Sequence, residues 1–408
     1  MPVAAPLQTK GVKVALDVLL LLASVPVLLG TGYLFWATLF SARPKPPNPG
    51  GAPRRFRFIV PAHNESAGIA ATVRSLLAID YPSAAFDVLV VADNCVDDTA
   101  EQARKAGATV LERQDKELRG KGYALHYAFE QLPPEVDAVA VIDADTLVSP
   151  NILHAFSARR ELGAHAVQAD YAVRNPDAGW RTRMIAIAFG AFHIVRSRAR
   201  EQAKLSCGLR GNGMCFSAEI LKQVPHNAYS IVEDVEYGIR LGEAGQRVFY
   251  ADEAHVYGEM VSTASAASSQ RRRWEDGRKQ LIAQHAGRLL RAGLAGNRVL
   301  LDLSCDLLIP PLSRLAVASV FGLLVTQVLA FVLHAFMLSA LSFAFCVWAV
   351  VLYVLRGWMV SGTGLRGLLD LGLAPVYVLW KAGLRLRGSK TSSSTWVRTK
   401  REDSAGPP

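Results

Sequence analysis

The chain has 408 residues, 51% of them hydrophobic, and its 45 lysines and arginines against 35 acidic residues give a formal net charge of +10. This length allows two or three domains, and the basic balance favours anionic partners such as nucleic acid, anionic lipid or phosphorylated substrates. The five cysteines are scattered without a CxxC pair, so the sequence supports neither a zinc site nor a disulfide framework.

Two long apolar segments lie near the ends of the chain. Residues 18–42 contain no charged side chain, and residues 315–355 contain none apart from a possible charge on His334. At about 1.5 Å per residue, the first segment can cross a bilayer core of about 30 Å once, and the second can cross it twice with a turn near His334. The first segment lacks a clear small-x-small cleavage site, so we expect a retained anchor rather than a signal peptide.

The basic residues beside these segments predict the orientation of the chain. Residues 43–55 form a Pro/Gly-rich linker with several basic residues, and residues 380–401 carry seven lysines and arginines and no acid. By the positive-inside rule both flanks face the cytoplasm, which gives three spans in the inner membrane with the N-terminus outside. The predicted organisation has five parts. A membrane anchor (1–42) and the linker (43–55) precede a cytoplasmic α/β domain (56–292). A transmembrane hairpin (293–360) and an interfacial helix with a basic cytoplasmic tail (361–408) follow it.

Short apolar runs alternate with helical stretches between Phe56 and about Gly258. The pattern predicts strands at residues 56–62, 87–93, 137–143 and 164–173, with helices at residues 66–78, 97–107, 120–132 and 151–162. Continuous apolar strands that alternate with helices indicate an α/β fold with a mostly parallel sheet covered on both faces. Ligands of such sheets bind beyond the carboxyl ends of the strands, so the residues there form the candidate site.

Acidic residues lie at the ends of three predicted strands. Asp143 and Asp145 in "IDADT" are separated by one residue, and two carboxylates so close are costly unless a cation shares them. Mg²⁺ or Mn²⁺ held by carboxylates and substrate phosphates fits this pair, whereas the alternative is a turn in which the aspartates bond their own backbone. Glu65 in "PAHNE" and Asp93 at the end of the second strand suit hydrogen bonds to ribose hydroxyls or to a base edge.

Two glycine-containing turns are further candidates for ligand binding. "RGKGYAL" (119–125) opens a predicted helix with Lys121, which can meet a phosphate. The patterns GxxxxGK[ST] and GxGxxG are both absent, which argues against an ATPase and against a dinucleotide-binding oxidoreductase. "LRGNGMCFS" (209–217) contains Gly211, Asn212 and Gly213 in a turn that either lines a pocket or only turns the chain.

Two charged motifs lie in the second half of the chain. Glu233 and Asp234 in "SIVEDVEYGIRL" start a predicted helix, where acids either cap the positive helix end or supply a general base. "QRRRW" (270–274) belongs to a predicted basic helix over residues 265–292. At helical spacing Gln270, Arg273 and Trp274 share one face of that helix, while the other two arginines point elsewhere.

In this order the motifs "PAHNE", "DNCVDDT", "GKGYAL", "DAD", "GNGM", "VED" and "QRRRW" resemble the membrane-bound family 2 glycosyltransferases, which have a GT-A fold. The resemblance runs from about Arg54 to Arg278, and in pattern it is closest to the cellulose, chitin-oligosaccharide and hyaluronan synthase-like enzymes. The chain departs from the family at Val232, where a threonine is more usual. The gating-loop pattern FxVTxK is also missing from the C-terminal region, where "SSSTWVRTKR" stands.

The resemblance implies an inverting transfer from a UDP-sugar to a polysaccharide or glycan acceptor, with a β-linked product. It implies that the nucleotide contacts are Glu65, Asp93, Lys121 and Asp143. Asp145 resembles the ligand of Mg²⁺ or Mn²⁺, and Asp234 matches the catalytic base. Contacts to the acceptor or the diphosphate are implied for Glu233, Gln270, Arg273, Trp274, Gly211, Asn212 and Gly213.

Other functions remain as alternatives of unequal strength. Three spans are few for a polymer channel, so the transfer of one sugar to a lipid-linked acceptor is the alternative function. A non-enzymatic scaffold is disfavoured by the joint presence of Asp143, Asp145, Asp234 and Arg273. Nucleic acid is not an expected partner, because the arginines are not interleaved with aromatic residues and lie beside membrane segments. The expected partners are the UDP-sugar, the acceptor, membrane lipids, and an oligomeric or export partner.

Overall fold

A single eight-stranded sheet forms the centre of the α/β region. The computed structural model describes residues 5–48, 50–260, 275–335 and 337–375. The strands are β1 (Phe56–Ala62), β2 (Phe86–Asp93), β3 (Thr109–Arg113), β4 (Ala138–Val141), β5 (Thr146–Val148), β6 (Ala166–Val173), β7 (Met214–Ser217) and β8 (Val248–Gly258). Their order across the sheet is β3-β2-β1-β4-β7-β6-β8-β5.

The sheet consists of a parallel half and a mixed half. β3, β2, β1 and β4 are parallel neighbours, and β6 is parallel to β8. β7 runs antiparallel to β4 and β6, and β5 runs antiparallel to β8. Four of the seven pairings are therefore parallel, which confirms the predicted α/β fold with a mostly parallel sheet.

Helices cover both faces of the sheet. They are α2 (Ile69–Leu77), α3 (Thr99–Lys105), α4 (Lys121–Phe129), α5 (Ile152–Glu161), α6 (Trp180–Phe189), α7 (Arg196–Gln202), α8 (Ala218–Gln223) and α9 (Glu233–Glu243). Alternate residues of a strand point to opposite faces, so Phe58 and Val60 of β1 pack under α2, α3 and α5, whereas Ile59 packs under α4, α8 and α9. All three of these side chains are fully buried.

The four predicted strands and the four predicted helices between them agree with the observed elements to within about three residues at each end. The predicted strand 56–62 has the bounds of β1, and the predicted helix 120–132 is α4. The sequence pattern does not predict β3, β5, β7 or β8. β5 and β7 have only three and four residues, too few for a periodic signal. α6 and α7 are joined by a π-helical turn at Gly190–Val195, within a stretch predicted as one helix.

Further helices follow the sheet. They are α10 (Gly287–Leu294), α11 (Arg298–Leu308), α12 (Leu312–Val332), α13 (Leu338–Val360) and α14 (Gly364–Asp370). Of the described helices, α12, α13 and the residues Gly11–Leu39 of α1 (Ala5–Leu39) are long and apolar enough to cross a membrane. The chain reverses between α12 and α13 at His334, as the sequence predicts.

The three apolar helices pack together, and hydrogen bonds link α1 and the residues just after it to α13 at both ends. At one end, Asp17 of α1 accepts hydrogen bonds at 2.9 Å from the backbone N–H groups of Leu338 and Ser339, the first residues of α13. At the other end, Arg356 of α13 donates to the Ser41 hydroxyl at 2.8 Å. Arg43, two residues further on, lies 3.1 Å from Asp252 of β8. The α/β region therefore contacts the end of the helices at which α1 terminates.

Candidate active site

The residues predicted to act together come from distant parts of the chain, and the structure brings four of these parts to one edge of the sheet. Lys121 begins α4, Asp143 follows β4, Gly211 precedes β7, and Glu233 begins α9. The carboxyl ends of parallel strands open at this edge, as expected for a ligand site in an α/β sheet.

Lys121 is the centre of this group. Its ammonium Nζ lies 2.5 Å from Asp143 Oδ1 and 3.9 Å from Glu233 Oε1, and it donates a hydrogen bond to the carbonyl oxygen of Gly211. Burial disfavours its charge, but the carboxylates of Asp143 and Glu233 outweigh burial and raise the pKa of Lys121 above its usual range. Lys121 is therefore a permanent cation that joins three segments of the chain.

Glu233 and Asp234 lie in the first turn of α9, as predicted. The residue before them, Val232, offers no side-chain hydrogen bond to the helix start. Burial raises the pKa of Glu233 and of Asp234, while backbone N–H groups at the helix start and the cation of Lys121 oppose that rise for Asp234. Capping of the helix end and general-base chemistry are compatible roles for this pair, because a carboxylate that complements the positive helix end can still accept a proton.

The Gly-Asn-Gly turn lies against the acidic pair. Gly211 and Gly213 have φ angles of +79° and +71°, a region that L-residues with side chains rarely adopt. A Cβ atom on Gly211 would lie 3.4 Å from Asp234 Oδ2, so the glycine lets the turn approach the carboxylate closely. The side chain of Asn212 is fully buried, and its Oδ1 accepts a hydrogen bond of 3.1 Å from the backbone N–H of Asp143.

Asp143 and Asp145 lie on a tight turn between β4 and β5. The backbone N–H of Thr146 donates to the carbonyl oxygen of Asp143 at 3.2 Å, and the Thr146 hydroxyl donates to Asp145 Oδ1 at 3.3 Å. The Asp143 side chain is 32% exposed. Among the described residues, no group of three or more His, Cys, Asp or Glu side chains could hold a metal ion. The two carboxylates suit Mg²⁺ or Mn²⁺ only if a substrate supplies further oxygen ligands.

Asp93 and Glu65 flank the ends of β2 and β1. Asp93 is fully buried, and its Oδ1 lies 2.7 Å from Arg113 Nη1 at the end of β3. Its second oxygen, Oδ2, is buried and has no hydrogen-bond partner among the described residues. The backbone N–H of Glu65 donates to the Thr99 hydroxyl at 2.8 Å, which anchors the loop after β1 to the start of α3.

Other predicted residues lie outside the described part of the chain, and some contacts were not predicted. Gln270, Arg273 and Trp274 belong to residues 261–274, which are outside the described residues.

Sequence reasoning missed Arg113, since β3 itself carries too weak a pattern to be recognised. It also missed Arg210, although its position directly before the Gly-Asn-Gly turn was a usable signal.

Sequence comparison identifies the class of enzyme to which the chain belongs. A sequence profile of the family described as "Glycosyltransferase like family 2" matches residues 53–277, and the chain belongs to this family. Beta-monoglucosyldiacylglycerol synthase of Synechocystis sp. is 31% identical over 231 residues, which cover 54% of this chain and 47% of that protein. Probable glycosyltransferase YdaM of Bacillus subtilis is 22% identical over 254 residues, which cover 60% of each chain. The chain thus spans about half the length of the first of these relatives.

A solved structure supports the fold. The mannosyltransferase PcManGT from Pyrobaculum calidifontis, in complex with GDP-Man and Mn²⁺, superposes with a TM-score of 0.51. The two chains are 19% identical, and the match covers 83% of this chain and 97% of that one. At this identity the likeness establishes the GT-A architecture and nothing about the substrate.

Proposed function

We propose that this family 2 glycosyltransferase is bound to a membrane and transfers a sugar from a UDP-sugar to a lipid or glycan acceptor, with inversion at the anomeric carbon. The observation that carries the proposal is the convergence of Lys121, Asp143, Gly211 and Asp234 in one cleft at the carboxyl edge of the sheet. A cation, two carboxylates and a close backbone turn are the groups that such a transfer requires.

The donor nucleotide would bind along the ends of β1, β2 and β4. The buried Asp93 Oδ2 lacks a hydrogen-bond partner among the described residues, so an N–H group of a base or a ribose hydroxyl would satisfy it. Lys121 would then contact a phosphate oxygen, and Glu65 and Asp143 would add polar contacts. Gln270, Arg273 and Trp274 remain predicted contacts of the diphosphate and the acceptor.

Asp145, with Asp143 beside it, would hold Mg²⁺ or Mn²⁺ together with oxygens of the diphosphate. Such an ion stabilises the negative charge that develops on a departing diphosphate. The Mn²⁺ in the complex of the mannosyltransferase from Pyrobaculum calidifontis supports this assignment for a protein of similar fold. The residues themselves fit the ion, since both are carboxylates, one residue separates them, and Asp143 is partly exposed.

Asp234 would act as the general base. It would accept the proton of the acceptor hydroxyl while the hydroxyl oxygen attacks the anomeric carbon opposite the leaving diphosphate. One base is sufficient, because this route forms no covalent sugar–enzyme intermediate. Burial raises the pKa of Asp234, and a carboxylate with a raised pKa is a stronger base once it is ionised.

A membrane lipid is the acceptor that we favour over a growing polymer. The relatives from Synechocystis sp. and Trichormus variabilis carry the name beta-monoglucosyldiacylglycerol synthase, which names a lipid product. The three apolar helices lie beside the α/β region, so a lipid in the bilayer would have a short path to the cleft. We propose three spans in the inner membrane, with the α/β domain and the C-terminus in the cytoplasm.

The test is to incubate membranes that contain the protein with radiolabelled UDP-sugars and GDP-mannose, each supplied with Mg²⁺ or Mn²⁺. We expect one UDP-sugar to label a single lipid-extractable species. A ladder of products would establish polymer synthesis, and labelling from GDP-mannose alone would overturn the UDP assignment. Membranes with the Asp234→Asn variant serve as the control for background enzymes.

A further inference from the structure

A cluster of four arginines lies between the active-site cleft and the apolar helices. Arg196 and Arg200 belong to α7, Arg210 precedes the Gly-Asn-Gly turn, and Arg278 follows the segment 261–274. The four arginines lie close together: Arg200 and Arg210 both donate to the carbonyl oxygen of Cys207, and Arg196, Arg200 and Arg278 all contact Asp306 of α11. They hold the pKa of Asp306 far below its usual range, although its burial alone would raise that pKa.

The carboxylates near this arginine cluster are already paired with two of its members. Asp306 Oδ1 lies 2.9 Å from Arg196 Nη1 and 3.1 Å from Arg200 Nη2. Asp302 Oδ2 lies 3.0 Å from Arg200 Nε, and its Oδ1 accepts a hydrogen bond of 2.8 Å from the Tyr33 hydroxyl of α1. Arg196 and Arg200 are buried, so these pairs form the closed base of the cluster.

Arg210 and Arg278 have no such partner. Within the described residues, neither guanidinium group lies within 4.0 Å of a carboxylate. The Nε and Nη2 groups of Arg278 donate to the carbonyl oxygens of Asp306, Leu307 and Ile309 at the end of α11, so Nη1 is the group with no hydrogen bond among the described residues. Residues 261–274, which the structure does not describe, include no acid in their sequence. The four arginines therefore outnumber the two carboxylates paired with them, and Arg278 and Arg210 act only at longer range on Glu275 and Asp234.

Arg210 has bonding capacity left to offer a ligand. Its Nη2 donates to the carbonyl oxygen of Cys207 at 3.0 Å, and its guanidinium carbon lies 4.5 Å from the centre of the Phe192 ring. Its Nε is buried and has no hydrogen-bond partner among the described residues. Both Arg210 and Arg278 are partly exposed, unlike the two arginines beneath them.

The cluster lies between the reacting groups and the membrane helices. Arg210 precedes Gly211, where an added Cβ atom would lie 3.4 Å from Asp234 Oδ2, and the charge of Arg210 lowers the pKa of Asp234 against the larger effect of burial. Arg200 donates to the Tyr33 hydroxyl at 2.9 Å, and Arg196 donates to the Tyr353 hydroxyl at 3.0 Å. Both tyrosines lie in the last two turns of their apolar helices, α1 and α13.

We propose that Arg210 and Arg278 bind the phosphoryl group of an anionic membrane lipid, which is the acceptor of the transfer. Guanidinium groups present paired N–H donors that match the oxygens of a phosphate. A phosphate at the ends of the apolar helices would lie at the depth of lipid headgroups, with the acyl chains along α1 and α13. This inference rests on the proposed function, and it replaces an uncharged lipid acceptor with a phosphate-bearing one.

The donor diphosphate is a less suitable occupant. Lys121 and Arg210 both act on Asp234, but the contacts of Lys121 are with Asp143, Glu233 and Gly211. The contacts of Arg210 are with Cys207 and Phe192, on the side of the apolar helices. Because the two cations have different partners, we assign the donor diphosphate to Lys121 and the lipid phosphate to Arg210.

The test uses the full-length protein in phosphatidylcholine nanodiscs that contain equal fractions of phosphatidylglycerol and diacylglycerol. Lipids retained by the protein are measured by native mass spectrometry without nucleotide, and the Kd for UDP is measured separately. We expect wild-type protein to retain phosphatidylglycerol, and we expect Arg210→Gln to weaken that retention at least about tenfold. We expect the Kd for UDP to change less than about twofold, because Arg210 does not contact the donor.

Two further variants separate phosphate recognition from misfolding and from a general loss of positive charge. Arg210→Lys keeps the charge and loses the paired donors, so an intermediate loss would identify phosphate recognition even if Arg210→Gln folds poorly. Arg288→Gln removes an exposed arginine paired with Glu243, and it should retain the lipid as the wild type does. Unchanged retention in both Arg210 variants, or a loss of UDP affinity instead, would overturn the inference. A wild-type protein that retains phosphatidylglycerol but transfers no sugar would refute the proposed function alone.

Discussion

At the scale of single residues, the electrostatics of the candidate site depend on one lysine that lies among several acids. Lys121 contacts Asp143, Glu233 and Gly211, and removing its charge would leave buried carboxylates without a counter-ion. Asp234 shares this environment and differs from Asp143 in its buried position at a helix start. The residues therefore have separable roles, which single substitutions can test.

Replacing Asp234 with asparagine should abolish transfer and leave nucleotide binding largely intact. The substitution removes the proton acceptor but keeps the size of the side chain. We expect kcat to fall by at least about 100-fold, the lower end of general-base contributions. Transfer assays and calorimetric titration with UDP would measure the two effects. Loss of UDP binding together with activity would contradict the assignment of Asp234 as the base.

Replacing Lys121 with methionine should shift the acid limb of the pH profile to higher pH. The lysine lowers the pKa of Glu233 and of Asp234, so both pKa values rise when the cation is removed. Because the base must be ionised, activity would then be lost at a higher pH as the solution is acidified. The pH of half-maximal kcat/KM measures this shift, and Lys279→Met is a control at an exposed lysine. An acid limb that stays in place would refute the electrostatic role of Lys121.

At the scale of elements, the Gly-Asn-Gly turn connects the segments that form the candidate site. It joins β7 to the acidic pair and binds the backbone of Asp143 through the buried side chain of Asn212. The turn has room for no side chain at Gly213, where a Cβ atom would lie 2.9 Å from two carbons of Val256.

Replacing Gly213 with alanine should therefore destabilise the protein by about 2–4 kcal/mol, the sum of backbone strain and overpacking. Gly245→Ala is a matched control, because Gly245 has a similar φ of +77° but no atom within 4 Å of the added Cβ. Gly245→Ala should lower the free energy of unfolding by the backbone strain alone, about 1–2 kcal/mol. Thermal unfolding of the detergent-solubilised proteins compares the two variants. Equal losses in both variants would show that packing against Val256 contributes nothing.

At the scale of the whole molecule, the α/β region and the apolar helices are joined by several ion pairs and hydrogen bonds. Arg43 joins the chain beyond α1 to Asp252, and α7 joins the sheet to both apolar helices through Arg196 and Arg200. These contacts connect the part of the chain that carries the candidate active site to the apolar helices.

Removing divalent metal should abolish the activity of the whole enzyme in membranes. The carboxylates of Asp143 and Asp145 carry charge of the same sign as a diphosphate, so the two would repel each other unless a divalent cation lay between them. We expect excess chelator to stop transfer, and added Mg²⁺ or Mn²⁺ to restore it. Full activity in excess chelator would refute metal dependence. Calcium in place of these ions, at equal concentration, controls for unspecific charge effects.

Much of the fold was predictable because its signals are local. The strand 56–62 and the helix at Lys121 follow from runs of apolar residues and from turn residues, which depend on neighbours in the chain. The short strand β7 was not predictable, since its four residues become a strand only between β4 and β6. Arg210 was missed for the same kind of reason, because its significance depends on charges that lie far away in the sequence.

The sequence by itself determined the fold class, the three apolar segments and the types of residue in the candidate site. Hydrophobic periodicity and motif spacing are sufficient for these, since both are properties of a single stretch of chain. Only the tertiary structure decided that Lys121 bridges Asp143 and Glu233, and that Arg210 and Arg278 share Asp306 with two paired arginines. Electrostatic interactions depend on distance and burial, and folding sets both by bringing together residues that are far apart in the sequence, such as Lys121 and Glu233.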